Sequence, residues 1–546
     1  MLPQFLLRAA TSTTLSICLV VAGCGRADPD AARATRYQSD VLEAAPSMSM
    51  GMEAPADSVD AGIGPGQGGD KYEPIVENAF LRVTDHPLST FSIDVDTASY
   101  SKVRQFLFDH NRMPRPHAVR IEELVNYFDY DYAPPEDDSA PFATHVAVAQ
   151  CPWNVEHELI RIALKGRVVE QDQRPPSNLV FLIDVSGSMG QPNKLPLLKR
   201  GLGLLLDQLN EQDRVALVVY AGAAGLVLDS TPASERRTIM RSMNRLKSGG
   251  STNGGQGLAL AYQVARDHFI EGGTNRVLLC TDGDFNVGAT GTDQMLDFIK
   301  EESKSGIELT VLGFGMGNLN DAMLEQISGQ GNGNYAFIDT INEARKVLVE
   351  QLSGTLVTIA KDVKLQIEFN PAEVTAYRLI GYENRLLENE DFNDDTKDAG
   401  EIGAGHAVTA LYEIIPGDAS KVDELPTVDE LKYQEKPQPA EAASSGELLT
   451  LKLRYKLPAK EESQLLEIPL RDEGTGFDEA DREFRFASAV AGFGMLLRGS
   501  QYVGDWNYNN VHQVASSATA NDKHGLRGEF LEMVRLAESL DSPSER

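Results

Sequence analysis

The sequence predicts an α/β protein with a doubly wound, mostly parallel sheet at its centre, a flanking β-rich domain and helical segments at both ends. Three observations support this fold class. Strands and helices alternate between residues 178 and 355, short strands stand on both sides of that region, and apolar residues recur at helical spacing near both ends. With 546 residues the chain exceeds one hydrophobic core, so we expect several domains.

Composition and periodicity divide the chain into seven segments. They are a lipoprotein signal peptide (1–23), a flexible tether (24–75), a helical N-terminal extension (76–140), strands of a flanking β domain (141–175), the central domain (178–355), the rest of the flanking β domain (356–475) and a helical C-terminal segment (476–546). The tether is predicted because it is rich in Gly and poor in aromatic residues, so it cannot bury enough apolar surface to offset its ordering entropy.

The first residues have the features of a targeting signal. Arg8 precedes an apolar stretch that is too short to span a bilayer, and the stretch ends in Val21-Ala22-Gly23-Cys24. This ending resembles a bacterial lipobox, which implies cleavage before Cys24 and a diacylglycerol on its thiol, with palmitate as a further part of the lipid anchor. The alternative is an ordinary secretory signal with a chance Cys. The resemblance implies the cell envelope, and Gly25 in place of Asp favours the outer membrane of a Gram-negative envelope.

Charge and cysteine content limit the classes of partner and the covalent links. The net charge of −31 repels nucleic acid, so we expect no nucleic-acid role. Cys18 would leave with the signal peptide, and Cys151 and Cys280 remain in the folded part. Cys280 ends an apolar run, which favours a buried free thiol, although a disulfide with Cys151 stays open.

The N-terminal extension is predicted to be mainly helical. Val103, Phe106 and Leu107 recur at helical spacing, as do apolar residues between 121 and 128. The stretch 91–100 imitates a metal-binding loop, but Asp96 stands where a Ser is expected. We therefore predict a strand end followed by a helix, with Asp and Ser side chains as N-caps.

The central domain is predicted from its alternating elements. We expect strands at 179–183, 215–220, 226–228, 276–280, 309–314 and 335–338, and helices at 199–209, 257–269, 320–328 and 341–353. The strand at 226–228 follows a small-residue turn and should be an antiparallel edge. The flanking β domain should contain strands at 144–149, 159–164, 363–369, 408–415 and 448–455, and the C-terminal helices include 484–497 and a terminal helix from about 530.

Three polar loops lie between predicted strands and helices of the central domain. The order of these elements predicts that all three loops meet at one edge of the sheet. They are Asp184-Val185-Ser186-Gly187-Ser188, the Gly-rich loop 249–255 with Thr252, and Thr281-Asp282-Gly283. Ligand sites in such sheets lie at the carboxyl ends of the strands. Two carboxylates and three hydroxyls are hard oxygen donors, which suit Mg²⁺ or Mn²⁺ better than Ca²⁺.

These loops match, in order and spacing, the metal-ion-dependent adhesion site of von Willebrand factor type A (VWA) domains, which have a Rossmann-like fold. The resemblance implies that Asp184, Ser186, Ser188, Thr252 and Asp282 hold a divalent ion. It also implies that an acidic side chain of a protein partner completes the coordination of that ion. The segments 91–100, 151–154 and 281–288, with the helical tail, further resemble the bacterial VWA-domain lipoproteins.

A binding module is the function that these features favour, and no enzymatic activity is expected. The motifs H-E-x-x-H, G-x-S-x-G and G-x-x-x-x-G-K-[ST] are absent, and none of the nine His lies in the three loops. Two alternatives remain, a metal-dependent hydrolase in which the ion activates water, and a structural envelope protein in which the ion only braces the loops.

Overall fold

The computed structural model describes residues 70–541, apart from residues 71, 137–139, 252–253, 284, 286–291, 317–318, 352–353, 355, 418–438 and 459. The predicted signal peptide, the predicted lipidation site Cys24 and nearly all of the predicted tether lie outside the described residues, as does the predicted metal ligand Thr252.

The strands of the described residues form three sheets. In chain order they are β1 (Leu81–Arg82), β2 (Leu88–Ser92), β3 (Phe142–Gln150), β4 (Glu158–Gly166), β5 (Ser177–Asp184), β6 (Arg214–Tyr220), β7 (Ala224–Pro232), β8 (Thr274–Thr281), β9 (Ile307–Phe314), β10 (Tyr335–Ile338), β11 (Thr358–Phe369), β12 (Val374–Ile380), β13 (Gly400–Gly403), β14 (Ala407–Pro416), β15 (Leu449–Lys456) and β16 (Gln464–Leu470).

The helices belong to the central domain and to the two ends of the described chain. They are α1 (Ala98–Phe108), α2 (Ile121–Val125), α3 (Leu195–Leu206), α4 (Arg236–Arg245), α5 (Gly254–Asp267), α6 (Thr292–Lys304), α7 (Asp321–Gln330), α8 (Ile341–Arg345, continued by one π-helical turn), α9 (Arg482–Arg498), α10 (Tyr508–Ser516) and α11 (Leu526–Asp541). None of the described helices is long and apolar enough to cross a bilayer.

The central sheet confirms the predicted doubly wound α/β fold. Its strands lie in the order β10-β9-β8-β5-β6-β7, with β7 antiparallel and the others parallel. Every residue of β5 is buried, because helices cover both faces of the sheet. One face packs on α3, α4 and α8 and the other on α5, α6 and α7.

Strands from both sides of the central domain pair in two antiparallel sheets. One sheet has the order β1-β12-β14-β4-β3, and the other has the order β13-β11-β15-β16 with β2 also paired to β11. The two sheets share an apolar core. The opposite face of the first sheet is covered by α1, α2 and the C-terminal helices α9, α10 and α11, which have a core of their own with Trp153 and Phe486.

Residues 76–140, predicted to be mainly helical with a strand end near residue 91, contain α1 and α2 together with the short strands β1 and β2. The predicted side-chain N-caps of α1 are not formed. Thr97 occupies the N-cap position without a side-chain hydrogen bond. The carboxylates of Asp94 and Asp96 instead pair with Arg385, at 3.1 and 3.4 Å. Asp96 also covers the edge of the central sheet, because its Oδ1 accepts the backbone N–H of Tyr335 at 2.7 Å.

Candidate metal centre

The first two predicted metal loops are joined by backbone hydrogen bonds at the carboxyl edge of the central sheet. The N–H of Gly187 donates to the carbonyl of Gly250 at 3.2 Å, and the N–H of Gly249 donates to the carbonyl of Val185 at 2.7 Å. Gly250 has a φ of +92°, which a residue with a side chain rarely adopts. The turn therefore brings the start of the second loop against the first.

The side chains of the first loop converge on one point. Asp184 is the last residue of β5, and its Oδ1 accepts the backbone N–H of Ser186 at 2.7 Å. The Ser186 and Ser188 hydroxyl oxygens lie 3.0 Å apart. Asp184 and Ser186 are buried, whereas Ser188 is half-buried. Three predicted oxygen ligands are thus gathered in one loop, with access to solvent on the side of Ser188.

The third loop lies beside the first because β8 pairs directly with β5. Asp282 follows the end of β8 and is fully buried. Gly283 has a φ of +94°, and a Cβ at this position would lie 2.5 Å from the Cα of Leu319. Only glycine fits this close contact with the segment after β9, so the backbone itself fixes the direction in which Asp282 leaves the strand.

Each of the two carboxylates has a buried oxygen without a hydrogen-bond partner, Oδ2 of Asp184 and Oδ1 of Asp282. Burial raises the pKa of Asp184 to about 6, the hydrogen bonds from Ser186 oppose that rise, and the Asp282 carboxylate adds to it. A buried carboxylate oxygen that lacks a partner is destabilising unless a cation or a donor meets it. The donor set therefore fits a hard divalent cation.

Lys194 is a charged member of this site that the sequence analysis did not identify. Its ammonium Nζ lies 2.9 Å from Asp282 Oδ2, and both side chains are buried. Gly315 has a φ of +67°, and its lack of a side chain leaves room for the lysine chain. A single Lys just before a helix is normally a solvated residue, so no local sequence signal could have revealed this contact.

Other metal-binding arrangements find no support in the described residues. They contain no group of three His, Cys, Asp or Glu side chains placed to hold an ion. Cys151 and Cys280 are buried free thiols, so the predicted free state of Cys280 is observed and the disulfide is not. Burial raises the pKa of both thiols above the ordinary value, so they are poor metal ligands.

Comparison with known families defines the class of protein. Residues 178–351 match the family model described as von Willebrand factor type A domain, and residues 67–161 match one described as von Willebrand factor. Residues 354–540 match the model described as "Uncharacterized protein YfbK, C-terminal". The chain is therefore a VWA-domain protein with a second family-specific region after that domain.

The relatives then define the particular family. YfbK of Escherichia coli is 42% identical over 481 residues, which cover 87% of this chain and 82% of YfbK. This chain belongs to the YfbK family. Protein sll0103 of Synechocystis is 31% identical over 186 residues, covering 34% of this chain and 43% of the relative. A solved VWA protein from Catenulispora acidiphila aligns with a TM-score of 0.39 at 15% identity, covering 72% of this chain and 91% of that chain.

Proposed function

We propose that the VWA domain binds a divalent cation, preferably Mg²⁺ or Mn²⁺, and through it an acidic group of a protein partner. The proposed ligands are Asp184, Ser186, Ser188, Thr252 and Asp282. The observation that carries the proposal is the pair of buried carboxylate oxygens without hydrogen-bond partners, beside two neighbouring hydroxyls. Metal-dependent adhesion is also common among VWA domains, the class to which residues 178–351 belong.

The charges of the site favour an acidic partner. Asp184 and Asp282 together offset the charge of a divalent ion, the hydroxyl ligands add no formal charge, and Lys194 adds a positive charge beside Asp282. The cation supplies an open coordination position for an incoming carboxylate. The net charge of −31 opposes an acidic partner, but salt screens that repulsion beyond about 8 Å, whereas a contact within the site is screened much less.

Anchoring in the cell envelope is the second part of the proposal. The lipobox-like ending at Cys24 supports removal of residues 1–23 and lipidation of the Cys24 thiol. Gly25 supports an outer-membrane position in a Gram-negative envelope. A lipid anchor followed by a long tether would let the VWA domain meet partners at a distance from the membrane.

We expect Asp184→Ala to lose binding of both the ion and the partner, since it removes one of the two carboxylates of the site. Calorimetric titration with Mg²⁺ and with Mn²⁺ measures the first effect. Capture of envelope proteins on the purified chain, with Mg²⁺ or with chelator, measures the second. The melting temperature of the ion-free variant should fall by no more than a few degrees, because the substitution also removes a buried carboxylate without a cation.

The matched control for this experiment is Asp267→Ala, which removes an exposed carboxylate from the same domain. It should bind ion and partner like the wild type. A partner that is captured equally well in chelator, or by Asp184→Ala, would contradict the proposed mechanism. If the variant keeps its affinity for Mg²⁺, Asp184 is not a ligand.

For anchoring, we expect Cys24→Ser to leave the membrane fraction or to accumulate as an unprocessed precursor, because the variant lacks the thiol that would be lipidated. Fractionation with immunodetection of precursor and mature forms measures this. Cys18→Ser is the matched control, since it changes a Cys inside the predicted signal and should be processed normally. Unchanged membrane association of Cys24→Ser would show that the lipobox interpretation is wrong.

A further inference from the structure

An acidic cavity lies apart from the candidate metal centre. Its volume is about 600 Å³, and it is bounded by the connection between β2 and α1, by α7 and by the segments 383–385 and 398–401. Among its described lining residues are eight carboxylates and two arginines, and no residue of the three predicted metal loops contributes to it. Its volume is that of a small-molecule site.

Both arginines of the cavity are already paired with carboxylates. Arg385 lies 3.1 Å from Asp94, 3.4 Å from Asp96 and 3.5 Å from Glu325. Arg120 lies 2.5 Å from Glu325. It also pairs with two carboxylates outside the cavity, Asp321 at 2.9 Å and Glu123 at 3.1 Å. These contacts leave the two guanidinium groups little capacity to compensate the remaining acidic side chains.

Glu122 forms no ion pair with either arginine, although the charge of Arg120 still attracts it at longer range. It lies in α2, is 2% exposed, lines the cavity, and its Oε2 has no hydrogen-bond partner. Gly381 has a φ of +77°, and a Cβ there would lie 2.7 Å from this oxygen, so only glycine allows the carboxylate its position. Burial raises the pKa of Glu122 to about 8, and the nearby carboxylates of Glu383 and Asp94 add to the rise.

Other carboxylates of the cavity have cations of their own. Glu383 lies 2.7 Å from Arg498, Asp398 lies 3.1 Å from Lys300, and Glu401 lies 3.6 Å from Lys361. A buried carboxylate beside like charges is destabilising for the empty protein. A positively charged ligand in the cavity would reverse that effect, because it would supply the missing opposite charge and hydrogen-bond donors.

We propose that this cavity binds an organic cation that carries a primary ammonium or guanidinium group, with Glu122 as its main carboxylate partner. A metal ion fits less well, because the described residues contain no group of three acidic, His or Cys side chains that could hold one. A multi-donor organic cation can instead reach carboxylates that are spread over a cavity of this size. Such a group could belong to a free polyamine-like molecule or to a Lys or Arg side chain of a peptide.

The experiment titrates the full chain with spermidine, agmatine and a capped Lys-containing tripeptide at physiological salt, with chelator present so that the metal centre takes no part. Calorimetry gives affinity and stoichiometry, and the melting temperature is followed in parallel. We expect one cation to bind per chain, and Glu122→Gln to weaken it at least about tenfold. Tighter binding of the free amines identifies a small molecule, and tighter binding of the tripeptide identifies a protein side chain.

The matched control is Glu301→Gln, which removes an exposed carboxylate of α6 and should bind like the wild type. Without ligand, Glu122→Gln should melt no lower than the wild type, because the amide keeps the shape and removes a buried ionisable group. The proposal is overturned if the wild type binds none of the probes, if Glu122→Gln binds them equally well, or if the unliganded variant is strongly destabilised.

Discussion

Replacing Arg104 with Met should lower the free energy of unfolding by about 3–5 kcal/mol, because it leaves buried carboxylates without a cation. Arg104 lies in α1 and is 4% exposed. Its guanidinium contacts Asp339 at 2.5 and 2.9 Å, Glu343 at 2.7 Å and Glu529 at 2.8 Å. One side chain therefore joins the N-terminal extension, the VWA domain and the C-terminal helix α11.

The destabilisation should depend on pH. Burial raises the pKa values of both partners, and the charge of Arg104 lowers them. For Asp339 burial is the larger effect, and its pKa is raised to about 6 even with the guanidinium present. For Glu343 the charges of Lys346 and Arg104 outweigh burial and hold its pKa below the ordinary value. Without Arg104 both folded-state pKa values rise above their unfolded values. The two carboxyls then bind protons when the pH falls, so the loss of stability should be larger at pH 8 than at pH 5.

Urea denaturation of wild type and variant at the two pH values measures this effect. Arg236→Met is the control, because Arg236 forms an ion pair with Asp207 in which both side chains are largely exposed. Such surface pairs contribute about 0–1 kcal/mol, so this variant should unfold close to the wild type. Equal stabilities of the Arg104 and Arg236 variants would mean that the buried network does not hold the three segments together.

The central sheet could be predicted because its signals are local. Each parallel strand is a short apolar run between helices. Asp184 ends β5, with Ser186 and Ser188 in the loop after it, and Asp282 directly follows β8. The helices α4 and α6 were missed. Both helices are rich in polar and charged residues and bury few side chains, Ile239 and Met243 in α4 and Met295, Ile299 and Ser303 in α6, so few apolar residues mark them in the sequence.

Contacts between distant segments could not be predicted from one sequence. Phe91 was expected at a strand end, but nothing near it indicates that it pairs with Leu365 in β11. Asp94 and Asp96 look like helix caps until Arg385, almost 300 residues later, is placed beside them. The position of Lys194 beside Asp282 depends in the same way on the tertiary fold, because 88 residues separate the two.

Replacing Lys194 with Met should tighten Mg²⁺ binding by at least about tenfold, which corresponds to about 1.4 kcal/mol. The ammonium group occupies a position 2.9 Å from Asp282 Oδ2, so it neutralises a proposed ligand and repels a second cation. Met keeps the length of the apolar chain but carries no charge. The same substitution should lower the melting temperature of the ion-free protein, since Asp282 is fully buried and would lose its cation.

Measuring both Mg²⁺ affinity and melting temperature distinguishes competition between Lys194 and the ion from a purely structural role of Lys194. A divalent ion at the site would compensate Asp282, so Mg²⁺ should raise the melting temperature of Lys194→Met more than that of the wild type. Lys247→Met removes an exposed positive charge close to the second loop and should change neither quantity appreciably. The prediction is contradicted if Lys194→Met binds Mg²⁺ no more tightly than the wild type does. In that case the ion does not bind beside Lys194, and Asp282 is not one of its ligands.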